Sequence, residues 1–363
     1  MFDKQKQLII IGNGFDLQCG LKSKFVDYLD FRTKERGDYP WVRYSQNHSK
    51  LSIDANRAQN AVNNSAIVPF LWDIVFSIEL ENNNWVDVEY TIQRWVTDDK
   101  QIGILIQIAK LTFGKMMPLV KPNIEERYYI QMYRNISISE FRGFLFEHLR
   151  RLEADFKDYL KGIAEGLAYK DNASNLYDML ARQRPWCSVD YPVETDVLSF
   201  NYTRPLHFEQ NGSKYPLNSL VNIHGKLEDD NIIFGFDIAD ISSSDYSICQ
   251  FTKTMRLLTR YFDGSNFSSI FHNNYDYIKV YGHSLSDPDY SYFENIFDHN
   301  HLIDSNVILV FYYPSDKNKL KRNLVSDIYK LFRHYESRKG LGFSLLHKLV
   351  MENRLYLTAL DIY

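Results

Sequence analysis

Residues 8 to 16 of the chain are Leu8-Ile9-Ile10-Ile11-Gly12-Asn13-Gly14-Phe15-Asp16, an apolar run that stops at a glycine turn. Four consecutive apolar residues predict a short strand that is buried on both faces, as in a parallel sheet. Glycines directly after such a strand let the backbone turn sharply into a helix and approach a ligand closely. The stretch therefore predicts an α/β fold with a candidate ligand site at the end of its first strand.

Three later runs have the same apolar character and also end in small or polar residues: Asp196–Phe200, Tyr277–Tyr281 and Val307–Tyr312. In open α/β sheets, ligands bind at the carboxyl ends of the strands. Residues 31–189 instead show helical periodicity. We therefore predict a Rossmann-like parallel sheet built from residues 1–30 and 190–363, with helices at the C-terminal end and a large, mainly helical insertion after the first strand.

Within the insertion, the sequence predicts helices over residues 69–80 and 86–96. Ser137 and Glu140 have the spacing of a capping box at the start of a further helix. A loop followed by a helix from about residue 250 is predicted later in the chain, and one or two helices are predicted over residues 316–349.

Composition restricts the class of protein. Lys and Arg total 42 and Asp and Glu total 46, which leaves a net charge of −4 and no overall excess of positive charge for nucleic acid. Cys19, Cys187 and Cys249 are far apart in the sequence and form neither a disulfide framework nor a cysteine zinc site. The longest apolar run, residues 102–120, is interrupted by lysines and does not read as a membrane span. We predict a cytoplasmic protein with no membrane partner.

Two polar side chains follow apolar stretches and are candidates for chemistry. Asn201 comes at the end of the second predicted strand, where an amide suits a sugar hydroxyl or a water, although turn formation is the alternative. His224, followed by Gly225, has the residue type of a general base, although a structural histidine is the alternative.

Three further segments have both a functional and a structural interpretation. The segment Gly282-His283-Ser284 could hold a ribose or pyrophosphate, or simply lead into a capped helix. Asp16 could act in a site or cap the helix that follows the glycine turn. Asp87 and Glu89 follow Trp85, and because carboxylates two residues apart do not share a helix face, at most one points into a cleft.

In their order along the chain, these motifs resemble the sirtuin-type NAD-binding domain. The resemblance covers Gly12, Gly14, Gly20 and Leu21, then Ser199 and Asn201, then His224 and Gly225, then Gly282, Ser284 and Leu285. The short sequence motifs GNGFD, W-x-D-V-E, FNYT, HG and GHSLSDPD look most like those of the AbiH family of bacteriophage abortive infection. Asp16, Lys22 and Thr203 depart from the sirtuin pattern, and the sirtuin zinc module is absent from the sequence, so protein deacylation has little support.

The resemblance implies a sirtuin-like domain that binds NAD and hydrolyses the bond between nicotinamide and ribose, without a metal. In that reading, Asn201 contacts the ribose or the attacking water and His224 accepts a proton. Asp16 and one carboxylate of the Asp87/Glu89 pair, taken as Glu89, supply negative charge. The expected nucleotide-binding residues are Gly12, Asn13, Gly14, Phe15, Asp16, Gly282, His283 and Ser284.

Two alternatives of a different class stay open. One is a nucleotide sensor or regulatory binding module with the same pocket and no chemistry. The other is a toxin directed at nucleic acid, which the acidic balance of the chain disfavours. The resemblance leaves open a homo-oligomer and a phage-derived or regulatory protein trigger as partners.

Overall fold

A computed structural model of the chain describes residues 5–45, 50–65, 71–82, 87–116, 136–182, 193–205, 215–229, 231–237, 245–261, 268–315 and 318–361. The chain forms two compact units. The first unit comprises residues 1–22, 160–232 and 259–363, and the second comprises residues 23–159 and 233–258. The domain boundaries near residues 30 and 190 that the sequence suggests stay a prediction.

The described strands are β1 (Lys6–Ile11), β2 (Val42–Ser45), β3 (Lys50–Ile53), β4 (Glu194–Ser199), β5 (Leu217–Asn222), β6 (Tyr277–Tyr281), β7 (Ile308–Pro314) and β8 (Leu355–Leu360). The described α-helices are α1 (Asn13–Gln18), α2 (Phe25–Phe31), α3 (Ala55–Ser65), α4 (Leu71–Asn82), α5 (Val88–Thr97), α6 (Asp99–Met116), α7 (Ile138–Ala164), α8 (Leu167–Arg182), α9 (Tyr246–Cys249), α10 (Lys253–Tyr261), α11 (Ser268–Phe271), α12 (Tyr290–His299), α13 (Asn318–Lys339) and α14 (Leu345–Met351).

Six strands of the first unit form one parallel sheet in the order β5-β4-β1-β6-β7-β8. The prediction of a Rossmann-like α/β fold is confirmed. Strand β1 lies inside the sheet, where Ile11 is in register with Ser199 on one side and Tyr281 on the other. Ser199 is in turn in register with Asn222 of β5. The carboxyl ends of four strands therefore lie side by side along one edge.

The four apolar residues of β1 are buried on both faces of the sheet. Leu8 and Ile10 pack in one apolar cluster with Phe293 of α12. Ile9 and Ile11 pack in a second cluster that includes Leu180 of α8. Because both faces are covered, this strand needs apolar residues at consecutive positions rather than at alternate ones.

The structure confirms the four predicted strands and adds β5 and β8, which the sequence analysis missed. Both lie at the edges of the sheet, and most of their residues are only partly buried. Strand β5, with the sequence Leu-Asn-Ser-Leu-Val-Asn, therefore lacks the apolar run that marks the inner strands, whereas β8 has an apolar sequence, Leu-Tyr-Leu-Thr-Ala-Leu, that the sequence analysis did not use. The antiparallel pair β2–β3 in the second unit was missed as well.

The predicted helices of the insertion are confirmed as α4 and α5, with residues 69, 70 and 86 outside the described residues. The capping box is confirmed at the start of α7. The Ser137 N–H donates to Glu140 Oε2 at 2.9 Å, and the Glu140 N–H donates to Ser137 Oγ at 3.3 Å. The helix expected from about residue 250 is α10, and the C-terminal helices are α13 and α14.

The second unit is held together in part by a buried ion pair. Arg32, in a π-helical turn that follows α2, donates to both carboxylate oxygens of Asp73 at 2.7 and 2.9 Å. Trp41 Nε1 donates to the same carboxylate at 2.9 Å. Across the described residues, none of the helices is both long enough and apolar enough to cross a membrane.

Candidate functional site

The glycine turn after β1 is in direct backbone contact with the loop after β6. The Gly12 N–H donates to the Tyr281 carbonyl at 3.1 Å, and the Gly14 N–H donates to the Gly282 carbonyl at 2.7 Å. A Cβ at Gly14 would lie 2.6 Å from Gly282 Cα, and one at Gly282 would overlap the backbone of Phe15. Gly282 also has a φ of +70°. The close approach of the two loops therefore requires glycine.

This contact occupies backbone groups that the sequence analysis assigned to a pyrophosphate. The N–H groups of Gly12 and Gly14 donate within the protein, and the Phe15 N–H donates to the Gly12 carbonyl at 2.8 Å. The helix that follows, α1, has only six residues. The glycines thus have a packing role, and their role in nucleotide binding stays a prediction.

Two other residues expected to contact a nucleotide are exposed. Asn13 is exposed at the start of α1. Ser284 is exposed in the loop after β6, where its hydroxyl shares a 2.9 Å hydrogen bond with the hydroxyl of Ser286. Both remain accessible positions beside the edge of the sheet, and their role also stays a prediction.

Asn201, directly after β4, has a fixed backbone, and its side chain makes no hydrogen bond of ordinary geometry to the described residues. Its N–H donates to Ser199 Oγ at 3.1 Å, and its carbonyl accepts from Asn222 Nδ2 at 2.8 Å. The same Asn222 nitrogen donates to the Thr203 carbonyl at 2.9 Å. The Asn201 residue is 5% exposed, yet neither its Oδ1 nor its Nδ2 makes a hydrogen bond of ordinary geometry with the described residues. Buried amides are normally paired, so this one is available to a ligand or water.

Asp16 is anchored rather than used as a helix cap. Its Oδ1 accepts from the Tyr169 hydroxyl at 2.8 Å, and its Oδ2 accepts from the Thr203 hydroxyl at 2.7 Å. Burial raises the pKa of the Asp16 carboxyl to about 6, against the lowering effect of Thr203, Tyr169 and the nearby Asn201 amide. The carboxyl ties α1 to the loop that carries Asn201, and its catalytic role stays a prediction.

His224 follows β5 and is buried beside a carboxylate. Gly225 has a φ of +98°, and a Cβ there would overlap the carbonyl of Asn231, so only glycine allows this tight return of the chain. The imidazole Nε2 lies 3.5 Å from Asp289 Oδ1. Its ring also meets Phe200 edge to face, with 5.3 Å between ring centroids.

His283, after β6, faces the other oxygen of the same carboxylate. Its Nε2 lies 3.3 Å from Asp289 Oδ2, and its Nδ1 accepts from the Leu285 N–H at 2.9 Å. The Phe200 ring lies 4.3 Å from the His283 ring, between centroids. His283 was predicted to contact a nucleotide, and the structure places it in one cluster with His224.

Glu89 belongs to the second unit, where it has a structural partner. Its Oε2 accepts from Lys253 Nζ at 2.9 Å. Asp87 caps the start of α5 by accepting from the Tyr90 N–H at 3.0 Å. Trp85 lies outside the described residues. The predicted electrostatic role of Glu89 stays a prediction.

The first unit therefore brings Asp16, Asn201, His224 and His283 to one edge of the sheet, and it adds residues that the sequence analysis missed. These are Tyr169, Thr203, Asn222 and Asp289. Such an edge offers an amide that can donate and accept, imidazoles that can take up a proton, and carboxylates that stabilise positive charge. In the described part of the chain, no group of three or more His, Cys, Asp or Glu side chains is arranged to hold a metal.

Comparison with known proteins gives one family. A search of curated proteins finds no match. Residues 8–313 match the family described as Bacteriophage abortive infection AbiH. The match runs from β1 almost to the end of β7 and so includes every motif discussed above, whereas the more remote resemblance to sirtuins stays an expectation. The chain belongs to the AbiH family of bacteriophage abortive infection.

Proposed function

We propose that the chain acts in phage abortive infection by binding NAD at the carboxyl edge of the sheet and hydrolysing its nicotinamide–ribose bond. Membership of the AbiH family supports the role in abortive infection. The parallel sheet supports a nucleotide ligand, because the crevice outside the carboxyl ends of such strands is the usual ligand position. The proposal keeps the cytoplasmic location expected from the sequence.

The Asn201 side chain is the observation that carries this proposal. Its backbone is fixed on both sides by Ser199 and Asn222, while both polar atoms of the amide lack hydrogen bonds to the described residues. An unpaired buried amide costs about 1–3 kcal/mol. A ribose diol both donates and accepts, so it satisfies both amide atoms, and binding recovers that cost.

Hydrolysis consumes one water and one NAD and yields nicotinamide, ADP-ribose and a proton. Nicotinamide leaves as a neutral base, so the reaction needs a fixed ribose, a positioned water and an acceptor for the released proton. In our proposal Asn201 fixes the ribose or the water, and the imidazole of His224 accepts the proton. The buried carboxyl of Asp16, when ionised, favours the positive charge that develops on the ribose.

Calorimetric titration of the full-length chain with NAD and with ADP-ribose tests binding, and chromatography of released nicotinamide tests hydrolysis. We expect saturable binding of both ligands and at least about a tenfold loss of affinity in Asn201→Ala, because a two-hydrogen-bond contact is removed. Asn295→Ala is the matched control, since Asn295 is exposed on α12 and has no part in the proposed site.

The two measurements separate the two halves of the proposal. If neither NAD nor ADP-ribose binds, the proposed site itself is contradicted. Binding that is lost in Asn201→Ala, together with no nicotinamide release under any activating condition, supports a nucleotide sensor and contradicts hydrolysis. Equal affinity in Asn201→Ala and Asn295→Ala removes Asn201 from the site.

A further inference from the structure

The carboxylate of Asp289 lies between two imidazoles. Its Oδ1 is 3.5 Å from Nε2 of His224, and its Oδ2 is 3.3 Å from Nε2 of His283. All three side chains are less than a tenth exposed. Each carboxylate oxygen therefore faces one imidazole, although the two histidines come from loops that follow different strands.

Helix capping does not explain the orientation of this carboxylate. Asp289 occupies the N-cap position of α12, where an aspartate side chain usually accepts an N–H of the first helical turn. The Asp289 side chain makes no such capping bond. By contrast, Asp87 and Asp245 do cap the helices that follow them. The Asp289 carboxylate is turned toward the histidines instead.

The backbone of the loop fixes where the proton of His283 resides. The Leu285 N–H donates to His283 Nδ1, and a nitrogen that accepts a hydrogen bond carries no hydrogen. Neutral His283 therefore carries its proton on Nε2, the atom that faces Asp289. Leu285 has a φ of +52° and is buried, which is a strained conformation for a residue other than glycine. Strain of this kind is retained where the surrounding structure requires it, often at functional sites.

The surroundings of the cluster are aromatic. The Phe200 ring meets His224 and His283 edge to face, and the ring of Tyr292 lies 5.4 Å from that of His224. Apolar surroundings strengthen the interaction of a carboxylate with a neighbouring N–H. We propose that Asp289 is a positioning residue: it faces the Nε2 proton of His283, in the tautomer that the Leu285 N–H selects, and orients both imidazoles so that His224 is placed for proton transfer. The part that concerns proton transfer rests on the proposed hydrolysis of NAD.

Nitrogen NMR of the full-length chain labelled at the histidine rings tests the positioning directly, without any substrate. His224→Gln and His283→Gln assign the signals. We expect Nδ1 of His283 to give the signal of an unprotonated nitrogen and Nε2 that of a protonated one. Asp289→Asn replaces one acceptor oxygen by a donor, so the ring signals of at least one of the two histidines move.

Asp287→Asn is the matched control, because Asp287 lies in the same turn and is exposed. It is expected to leave the signals of both histidines in place. Ring signals that are equally unchanged in Asp289→Asn and Asp287→Asn overturn the proposal, whether or not the protein hydrolyses NAD. The NMR result therefore fails or holds independently of the proposed function.

Kinetics give the second readout. We expect Asp289→Asn to lower kcat for nicotinamide release at least about tenfold while affinity for ADP-ribose changes by less than about threefold, because Asp289 acts through the imidazoles. A loss of affinity with unchanged kcat overturns the positioning role and makes Asp289 a binding residue. If Asp289→Asn does not fold, the variants His283→Gln and His283→Leu are compared instead. The Gln side chain retains an N–H that can face Asp289, whereas Leu does not. We therefore expect the His224 ring signals to move less in His283→Gln than in His283→Leu. Equal movement in both overturns the proposal.

Discussion

Asn222 holds Asn201 by the backbone, while the Asn201 amide makes no hydrogen bond of ordinary geometry within the described part of the chain. Asn222 Nδ2 donates to the carbonyl of Asn201 at 2.8 Å and to that of Thr203 at 2.9 Å. A group whose backbone is fixed before the ligand arrives loses little freedom on binding. One asparagine is thus structural and its neighbour across the sheet is the candidate ligand group.

This division of roles predicts that the two substitutions differ in how much they change the free energy of unfolding. Asn222→Ala removes two buried hydrogen bonds and is expected to lower the free energy of unfolding by about 1–3 kcal/mol. Asn201→Ala removes no side-chain hydrogen bond of ordinary geometry to the described residues, and the relief of a poorly paired buried amide offsets the lost packing, so we expect the free energy of unfolding to change by less than about 1 kcal/mol. Urea denaturation of both variants measures the difference, and a larger loss in Asn201→Ala contradicts the reading of its amide as unpaired.

The contact between the glycine turn and the β6 loop predicts a severe effect at Gly282. Gly282→Ala places a Cβ against the backbone of Gly14 and Phe15, and we expect a loss of more than about 3 kcal/mol or no folding. Gly340→Ala is the control, because Gly340 also has a positive φ of +62° but has nothing within 4 Å of an added Cβ. Its expected cost is about 1 kcal/mol from backbone strain alone. Thermal unfolding measures the stability of both variants. Similar losses of stability in Gly282→Ala and Gly340→Ala contradict the close approach of the glycine turn to the loop after β6.

Asp16 predicts a specific dependence of stability on pH. Because burial raises its pKa from 3.8 to about 6, the folded chain holds a proton that the unfolded chain releases between those pH values. This contribution to stability is therefore present at low pH and is lost as pH rises from about 4 to about 6, by up to about 3 kcal/mol.

Asp16→Asn removes that contribution while keeping the side-chain shape. Between pH 4 and 7 the free energy of unfolding of the variant should rise relative to the natural protein by up to about 3 kcal/mol, and the relative change should end above about pH 6. Denaturant titrations at several pH values measure it. If the difference in the free energy of unfolding between the two proteins stays constant from pH 4 to pH 7, the pKa of Asp16 lies near its ordinary value and the prediction is wrong.

The pair formed by Glu89 and Lys253 predicts energetic coupling in the second unit. The Lys253 side chain is only 2% exposed, so Glu89→Gln leaves a buried ammonium without this carboxylate and should cost about 2–4 kcal/mol. In a double-mutant cycle, Glu89→Gln with Lys253→Met should cost at least about 1 kcal/mol less than the sum of the single changes. Additive costs contradict the structural pairing of Glu89 with Lys253.

The inner strands of the sheet could be predicted because burial on both faces demands apolar residues at successive positions. Residues 8–11 meet that demand, and residues 277–281 meet it except at Lys279, which is buried and donates from Nζ to the carbonyls of Leu180 and Ala181. Strand β5 does not, since it is an edge strand and Asn218 on it is exposed and polar. Strand β8, at the opposite edge, is half-buried along most of its length. A lack of local apolar pattern therefore explains the missed strand β5, but not β8, whose sequence Leu-Tyr-Leu-Thr-Ala-Leu is apolar.

The candidate site could be predicted in part for a similar reason. Asn201, His224 and His283 stand directly after apolar stretches, so parallel pairing brings them together. The partner of Asp16, Tyr169, is 153 residues away on a helix, and no local pattern indicates it. Asp289 has the sequence context of a helix cap, and only the fold shows that its carboxylate turns to two imidazoles.

The three glycines at positions 12, 14 and 282 have a consequence for how this chain can diverge. An added methyl group at any of them meets main-chain atoms, which no compensating side-chain change elsewhere can remove. We therefore expect related sequences either to retain glycine at all three positions or to have changed the contact between the two loops as a whole. A relative with a bulkier residue at one of them should also show an altered loop at the other end of the contact, with a rebuilt rim around residues 283 and 284.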